Sequence, residues 1–222
     1  MTNDVAKVDD KVRDEAKMRL LLRSLARNES TTATRVRLRG DMQEVEQLTI
    51  DEDTISDYLN IFTKLFIIEN QKPFATAIRS SLRIKQAEKR HLTDPSFVCS
   101  LLGITDENRL IGDLKTFGFL FEALCERDLR IYAQSFNANL LHYHDYSNDE
   151  IDAVVELPDG SWCAFEIKLG AHQIDQAAAK LLDINKKFER PATTLCVISG
   201  LTNAAYRRVD GVCVVPITAL KP

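Results

Sequence analysis

Two neighbouring segments of the chain decide its fold. The first reads Glu150-Ile151-Asp152-Ala153-Val154-Val155-Glu156, and the second reads Ala164-Phe165-Glu166-Ile167-Lys168-Leu169. Each alternates in character, which predicts two β-strands with Glu150, Asp152, Glu156, Glu166 and Lys168 on polar faces and Ile151, Ala153 and Val155 opposite. The segment between them, Leu157-Pro158-Asp159-Gly160-Ser161, is typical of a hairpin turn. The two strands should therefore lie side by side, and their acids can converge.

The residues Asp152, Glu166 and Lys168 form the candidate catalytic group. Two carboxylates on adjacent strands suit a hard divalent ion such as Mg²⁺, which prefers oxygen ligands and keeps several waters. A lysine two residues after an acid, on the same face, can stabilise developing negative charge or lower the pKa of an attacking water. This combination is the chemistry of phosphodiester hydrolysis. The alternative is a solvated acidic face on which Glu166 and Lys168 are only a surface ion pair.

Length and charge favour two domains. The chain has 222 residues, of which 45% are hydrophobic, enough for one large core or two small ones. Residues 1–90 carry 17 Lys and Arg against 15 Asp and Glu, whereas residues 91–222 carry 12 against 18. The first part is the better match for a polyanion and the second for a metal ion. Neither excess is large enough to establish nucleic-acid binding.

The composition also limits location and redox chemistry. No apolar run reaches the length of a membrane span, and the polar N-terminus does not resemble a signal peptide, so we expect a cytoplasmic protein without membrane contact. Five cysteines without CxxC spacing lie in apolar runs, which favours buried thiols over a disulfide or zinc framework. His142 and His144 share a strand face, but no third ligand follows at a metal-binding spacing. We interpret them as surface or site-lining residues.

The first part of the chain predicts a winged-helix-like domain over residues 16–90, behind a charged lead-in over residues 1–15. The predicted elements are a helix over 16–26, a loop over 28–40, a short helix over 41–47, a helix over 54–65 and a strand over 66–71. A basic return segment follows, with Arg79, Arg83, Lys85, Lys89 and Arg90. In winged helices one helix enters the major groove of DNA and the wing touches phosphate. Other winged helices are protein contacts or scaffolds.

The second part, residues 91–222, predicts a mixed sheet covered by helices. The predicted helices start after Pro95 and stop at Gly103, run over 113–130, and run over 172–188; additional strands lie at 140–144, 193–199 and 212–217. A strand, a helix and a second strand require a crossover connection, which makes part of the sheet parallel. In the helix over 113–130, Glu122 lies off the apolar stripe, so the pattern alone places it in solvent.

This element order, with an acid in the second strand and Glu-x-Lys in the third, resembles the PD-(D/E)xK nuclease superfamily. The fold implied is α/β, with a mixed sheet of the restriction-endonuclease-like type. Over residues 12–218 the chain more closely resembles the C-terminal domain of unknown function that follows the ATPase module of prokaryotic AAA-type ATPases. The residues that carry this second resemblance lie at 22–28, 54–59, 92–95 and 118–122.

The resemblance implies a role for each site residue. Asp152 and Glu166 would bind Mg²⁺ or Mn²⁺, and Lys168 would orient or activate the attacking water. Glu122 matches the helix acid that many superfamily members place beside the metal, which adds it to the catalytic and metal-binding residues and reverses its solvent assignment. Some members use a glutamine on the helix after the core strand, and both Gln173 and Gln176 match that position.

The chain departs from the family patterns at two points. Asp152 follows Ile151 and not a proline, and the chain has no Gly-x-x-x-x-Gly-Lys-Ser/Thr loop, so no ATP hydrolysis is assigned to it. It is either a fragment of a longer ATPase or a stand-alone remnant, and the charged residues 4–17 resemble the link behind an ATPase module.

Two functions follow from the resemblance. One is a metal-dependent DNA endonuclease; the other is a catalytically idle nuclease-fold module that binds DNA or protein and regulates an ATPase in the same or a partner chain. A homo-oligomer is left open.

Overall fold

The structure, a computed structural model, describes residues 13–46, 50–75 and 87–221. Within these residues the helices are α1 (Glu15–Arg27), α2 (Arg35–Glu46), α3 (Glu52–Lys64), α4 (Pro95–Leu102), α5 (Glu107–Ile111), α6 (Leu114–Ser135) and α7 (Ile174–Asn185). The strands are β1 (Ile68–Pro73), β2 (Lys89–Leu92), β3 (Asn139–His144), β4 (Glu150–Glu156), β5 (Trp162–Lys168), β6 (Thr194–Ser199), β7 (Tyr206–Arg207) and β8 (Cys213–Val215). The protein is therefore α/β, with a mixed sheet in the strand order β2-β1-β3-β4-β5-β6-β8-β7.

The chain divides into two compact units. The first comprises Met1–Asn70 and Lys89–Gly112, and the second comprises Gln71–Glu88 and Asp113–Pro222. This division differs from the predicted boundary at residue 90, because residues 91–112 belong with the first unit. There α4 packs against α1 and β2. Most of the predicted lead-in, and Arg79, Arg83 and Lys85 of the basic return segment, lie outside the described residues.

The first unit differs from its prediction at α2. The sequence predicts a loop over residues 28–40, but α2 begins at Arg35. Thr34 caps this helix, since its Oγ1 accepts a hydrogen bond from the backbone N–H of Arg37 at 3.3 Å. Leu38 and Met42, one turn apart, are fully buried. Two apolar residues among many charged ones form a weak helical pattern, and the loop prediction was therefore wrong.

The second unit carries the predicted order of a helix, three antiparallel strands, a helix and a parallel strand. Strands β3, β4 and β5 are antiparallel neighbours, and β6 pairs parallel to β5 through the crossover helix α7. The helix α6 packs on one face of the sheet, where Cys125 and Leu129 meet Ala153, and α7 packs on the other, where Leu181 meets Val197. The prediction of a mixed sheet covered by helices is confirmed.

A β-bulge in β4 lies next to the candidate site. Leu141 pairs with Val154 and Tyr143 pairs with Ile151, so two residues of β4 oppose His142 alone. As a result Ile151 and Val154 pack in the same core, under α7, whereas regular alternation would separate them. The predicted apolar face of Ile151, Ala153 and Val155 is thus wrong for Ile151. Asp152 and Ala153 are the two residues of β4 at this bulge.

Candidate functional site

The candidate site lies at the edge of the sheet where β4 begins and β5 and β6 end. The ladder between β4 and β5 runs from the pair Glu156–Trp162 to the pair Ala153–Phe165. Asp152 and Glu166 are the next residues on the two strands, so the hairpin register brings the two acids together. Their exposed fractions are only 8% and 0%. The alternative of a solvated acidic face is therefore wrong for these two residues.

Asp152 is held by main chain as well as by side chain. Its Oδ2 accepts a hydrogen bond from the backbone N–H of Ile167 at 2.8 Å and another from Lys168 Nζ at 3.0 Å. On the other side of β4, the buried side chain of Gln71 donates to the carbonyl of Leu141 at 2.7 Å and lies 3.4 Å from the carbonyl of Asp152. The acid is thus fixed in orientation before any ligand binds.

Glu166 lies between two lysines. Its Oε2 is 2.9 Å from Lys168 Nζ, and its Oε1 accepts a hydrogen bond from Lys180 Nζ at 2.8 Å. Lys180 is on α7, which packs on the face of the sheet that carries Glu166. Lys168 bridges both carboxylates, whereas Lys180 contacts Glu166. The site therefore contains two carboxylates and two ammonium groups within hydrogen-bond reach.

Burial and charge act in opposite directions on these groups. Burial, and then the neighbouring carboxylate of Asp152, raise the pKa of Glu166, while Lys168 and Lys180 oppose that rise. Burial favours the neutral amine of Lys168, but Asp152 and Glu166 outweigh it and raise the pKa of that lysine above its ordinary value. Lys168 is therefore a fixed cation at neutral pH, suited to stabilising negative charge and not to accepting a proton.

The remaining predicted site residues occupy other positions. Glu122 is half-buried on α6, one turn before the buried Glu126. Gln173 caps the short 3₁₀ turn Ala171–Gln173, because its Oε1 accepts the backbone N–H of Gly170 at 3.1 Å, and Gln176 is exposed. Neither glutamine has the contact with Glu166 that Lys180 makes. The roles assigned to Glu122 and to a helix glutamine stay predictions.

The two histidines of β3 differ in environment. His142 is buried opposite the bulge, so it is not a surface residue, and His144 lies 3.4 Å from Glu150. The cysteines are free thiols; Cys125 and Cys196 are buried, and Cys99, Cys163 and Cys213 are half-buried. Neither residue type adds a ligand to the pair Asp152 and Glu166.

Two site residues have no signal in the sequence pattern. Lys180 lies beside the apolar stripe of α7, three residues after Ala177 and one before Leu181. A lysine beside the apolar stripe of a helix normally extends into solvent. Only the packing of α7 against β5 shows that Lys180 reaches Glu166. Ser199 pairs with Lys168 across β5 and β6 and is fully buried, and its Oγ has no hydrogen-bond partner among the described residues. Nothing in its own sequence context indicates that.

The donor set fits a hard divalent ion held by two residues. Among the described residues, no group of three or more His, Cys, Asp or Glu is close enough together to hold a metal ion. Asp152 and Glu166 offer carboxylate oxygens on adjacent strands, and Mg²⁺ is commonly held by one or two carboxylates with waters completing its shell. The two ammonium groups already present compete for the same oxygens. Two carboxylates are thus compatible with a hard divalent ion, and Mg²⁺ or Mn²⁺ at this site stays a prediction.

The two residues of the basic return segment that the structure describes, Lys89 and Arg90, are engaged within the first unit. Lys89 is buried, and Arg90 donates a hydrogen bond to the carbonyl of Ala33. A cavity of about 590 Å³ in the same unit is lined by Leu22, Leu65, Ile67, Leu92, Phe97, Ser100 and Leu101. This lining is mostly apolar. Contact between the first unit and DNA stays a prediction.

Comparison with known proteins finds two domains of unknown function. Residues 1–108 match the model of the domain of unknown function DUF8612, and residues 117–220 match that of DUF4143. No curated protein and no solved structure matches the chain. In the described residues, no helix is both long enough and apolar enough to cross a membrane. Two domains of unknown function thus stand where the sequence resemblance implies one over residues 12–218, and the gap between them, residues 109–116, contains the boundary of the two compact units at residue 112. The links to AAA-type ATPases and to the PD-(D/E)xK fold stay predictions.

Proposed function

We propose that the second unit is a metal-dependent phosphodiesterase that cleaves DNA, with a fold of the PD-(D/E)xK type. The observation that carries this proposal is the contact set of Lys168, whose Nζ lies 3.0 Å from Asp152 and 2.9 Å from Glu166. Burying two carboxylates and a lysine is costly, because charged groups lose their hydration. Stabilisation of the fold therefore does not account for this arrangement. Such a cost is typical of a site kept for chemistry.

Each residue has a distinct role in the proposed reaction. Asp152 and Glu166 would hold Mg²⁺ or Mn²⁺, which supplies Lewis-acid activation of the water and stabilises charge at phosphorus when bound. Asp152 is fixed by the N–H of Ile167, so its carboxylate needs no reorganisation. Lys168, a cation at neutral pH, stabilises the charge that develops on the phosphoryl oxygens. A role for Glu122 as a further ligand rests on the family resemblance alone.

The proposed substrate is DNA, and an ATPase module in the same or a partner chain is the proposed context. Support for that context comes from the resemblance of residues 12–218 to the domain that follows such modules. We infer a winged-helix-like role for the first unit, in which its helices position the duplex. The net charge of −4 gives no general attraction for a polyanion, so contacts at the site itself must supply much of the binding.

A second candidate function is an idle nuclease-fold module that regulates the ATPase. The balance of two carboxylates by two ammonium groups favours it, because such a site is neutral without any ion. The apolar cavity of the first unit offers a surface for a protein partner.

Cleavage assays separate the two candidates. Supercoiled DNA, linear duplex DNA and single-stranded RNA would be incubated with the purified chain in Mg²⁺, in Mn²⁺ and in EDTA. We expect metal-dependent cleavage of DNA that is lost in Asp152→Asn and kept in Glu150→Gln, a change at the exposed start of the same strand. Absence of cleavage by the wild-type chain, or equal cleavage by Asp152→Asn, would reject the nuclease and favour the idle module.

A further inference from the structure

The ammonium group of Lys180 is held by fewer contacts than that of Lys168. Lys168 lies on a strand and contacts two carboxylates at once. Lys180 reaches Glu166 from a helix through four methylene groups, and its side chain is 34% exposed. A long side chain that makes one contact at the open side of a site can change partner without any movement of the main chain.

The charge balance of the site requires such a change when an ion binds. With both carboxylates ionised, as binding of a metal ion requires, the two negative charges of Asp152 and Glu166 are balanced by the two positive charges of Lys168 and Lys180. A divalent ion held by both carboxylates would add two further positive charges to a buried site. It would also compete directly with Lys180 for Oε1 of Glu166. Lys168 keeps its contact with Asp152, and Lys180 is therefore the group displaced.

We propose that Lys180 is a phosphate-binding residue that exchanges partners: it neutralises Glu166 in the metal-free protein and binds a DNA phosphate once a divalent ion takes that carboxylate. The released ammonium group lies at the open side of the site, where a backbone phosphate must approach the ion. A lysine and a phosphate form a charge-assisted pair, which replaces the ion pair between Lys180 and Glu166. This proposal rests on the proposed function, since it assumes the ion and the DNA.

The first test is the affinity for Mn²⁺, measured by titration calorimetry on the whole chain. Lys180→Met removes the competing charge and keeps an unbranched side chain that is one atom shorter. We expect Mn²⁺ to bind Lys180→Met at least about tenfold more tightly than wild type, because a like charge at hydrogen-bond distance is removed from a partly exposed site. Lys186→Met, at the exposed end of the same helix, is the matched control and should bind as wild type does.

The second test is DNA affinity as a function of salt, with a short duplex as the probe. Ca²⁺ supplies the ion, since it takes the same oxygen ligands. In Ca²⁺, Lys180→Met should bind more weakly than wild type, and its log affinity against log salt should lose about one unit of slope. In EDTA the variant should bind as wild type does, because Lys180 is then held by Glu166. Dependence on the ion distinguishes this role from a permanent phosphate contact.

Several results would overturn the proposal. They are equal or weaker Mn²⁺ binding by Lys180→Met, the same loss of DNA affinity with and without the ion, and no Mn²⁺ binding by either protein. Tighter Mn²⁺ binding together with the ion-dependent loss of DNA affinity supports the exchange even if no DNA is cleaved, in which case only the nuclease function fails. If Lys180→Met does not fold, Lys180→Gln replaces it, because its amide can still donate to Glu166 without a charge.

Discussion

The carboxylate of Asp152 lies 2.8 Å from the backbone nitrogen of Ile167, where β4 and β5 separate. The acid thereby takes the place of a carbonyl from the neighbouring strand and satisfies an N–H that is buried beside it. One side chain thus serves both the end of the ladder and the candidate metal site. Substitutions at this position should separate the two roles.

We predict that Asp152→Ala lowers the free energy of unfolding by about 1–3 kcal/mol, because it leaves the Ile167 N–H buried without an acceptor. Asp152→Asn keeps an acceptor oxygen and should be closer to wild type in stability while losing Mn²⁺ affinity. Urea unfolding and calorimetry measure the two effects. Glu150→Ala, at the exposed start of β4, should stay within about 0.5 kcal/mol of wild type. Equal stability of Asp152→Ala and wild type would contradict this role.

The side chain of Gln71 supports the bulge from the neighbouring strand. It is fully buried, and its amide donates to the carbonyl of Leu141 at 2.7 Å and lies 3.4 Å from that of Asp152. We predict that Gln71→Leu costs about 1–3 kcal/mol in urea unfolding, since buried carbonyls lose their donor. Gln71→Glu should cost more, because a carboxylate would face those carbonyls. Lys72→Met, the exposed neighbour, is the control, and a cost at Gln71 no larger than at Lys72 would argue against this account.

Ser199 offers the opposite case, a buried polar group whose removal should be harmless. Its Oγ makes no hydrogen bond to any described residue. Ser199→Ala should therefore leave the free energy of unfolding unchanged or raise it by up to about 1 kcal/mol. A loss of more than about 1 kcal/mol on thermal or urea unfolding would mean that the hydroxyl has a partner, for example a bound water.

Glu29, in the first unit, should make stability depend on pH. Its buried carboxylate accepts from the backbone N–H of Leu92 and lies 3.0 Å from Nδ1 of His91, with the charge of Lys89 nearby. Burial raises its pKa from 4.5 to about 7. The folded state therefore keeps the proton longer than the unfolded state does. The contribution of Glu29 to the free energy of unfolding is therefore full below about pH 4.5 and is lost as the pH rises to about 7.

This loss should amount to as much as about 3 kcal/mol. Urea unfolding between pH 4.5 and pH 8 would measure it. Glu29→Gln cannot ionise and should show a flatter profile over that range. A profile for Glu29→Gln that is as steep as the wild-type profile would contradict the assignment.

Periodicity and turn residues correctly predict the elements that depend on contacts between residues close together in the sequence. The hairpin of β4 and β5, with its Asp159-Gly160 turn, and the stop of α4 at Gly103, where φ is +67°, follow from local rules. The convergence of Asp152 and Glu166 follows in turn from the hairpin register. Local patterns therefore predicted both the core of the second unit and the two acids.

The features that local patterns do not predict depend on contacts between distant segments. The bulge in β4 arises in its pairing with β3, and alternation within β4 gives no sign of it. Lys180 becomes a site residue only because α7 packs over β5, which orients one flank of the helix toward Glu166. Residues 91–112 join the first unit because α4 packs on α1. Periodicity defines a helix and its apolar face but not the neighbour that its polar flank meets.

The central claim is that Lys168, beside a divalent ion held by Asp152 and Glu166, takes part in phosphodiester hydrolysis. The most direct measurement is the single-turnover rate of DNA cleavage at saturating Mn²⁺ for wild type, Lys168→Met and the exposed control Lys186→Met. The claim predicts a rate about 10²–10³-fold lower for Lys168→Met, the cost of removing one preorganised donor, and an unchanged rate for Lys186→Met. Equal rates for all three proteins would contradict it.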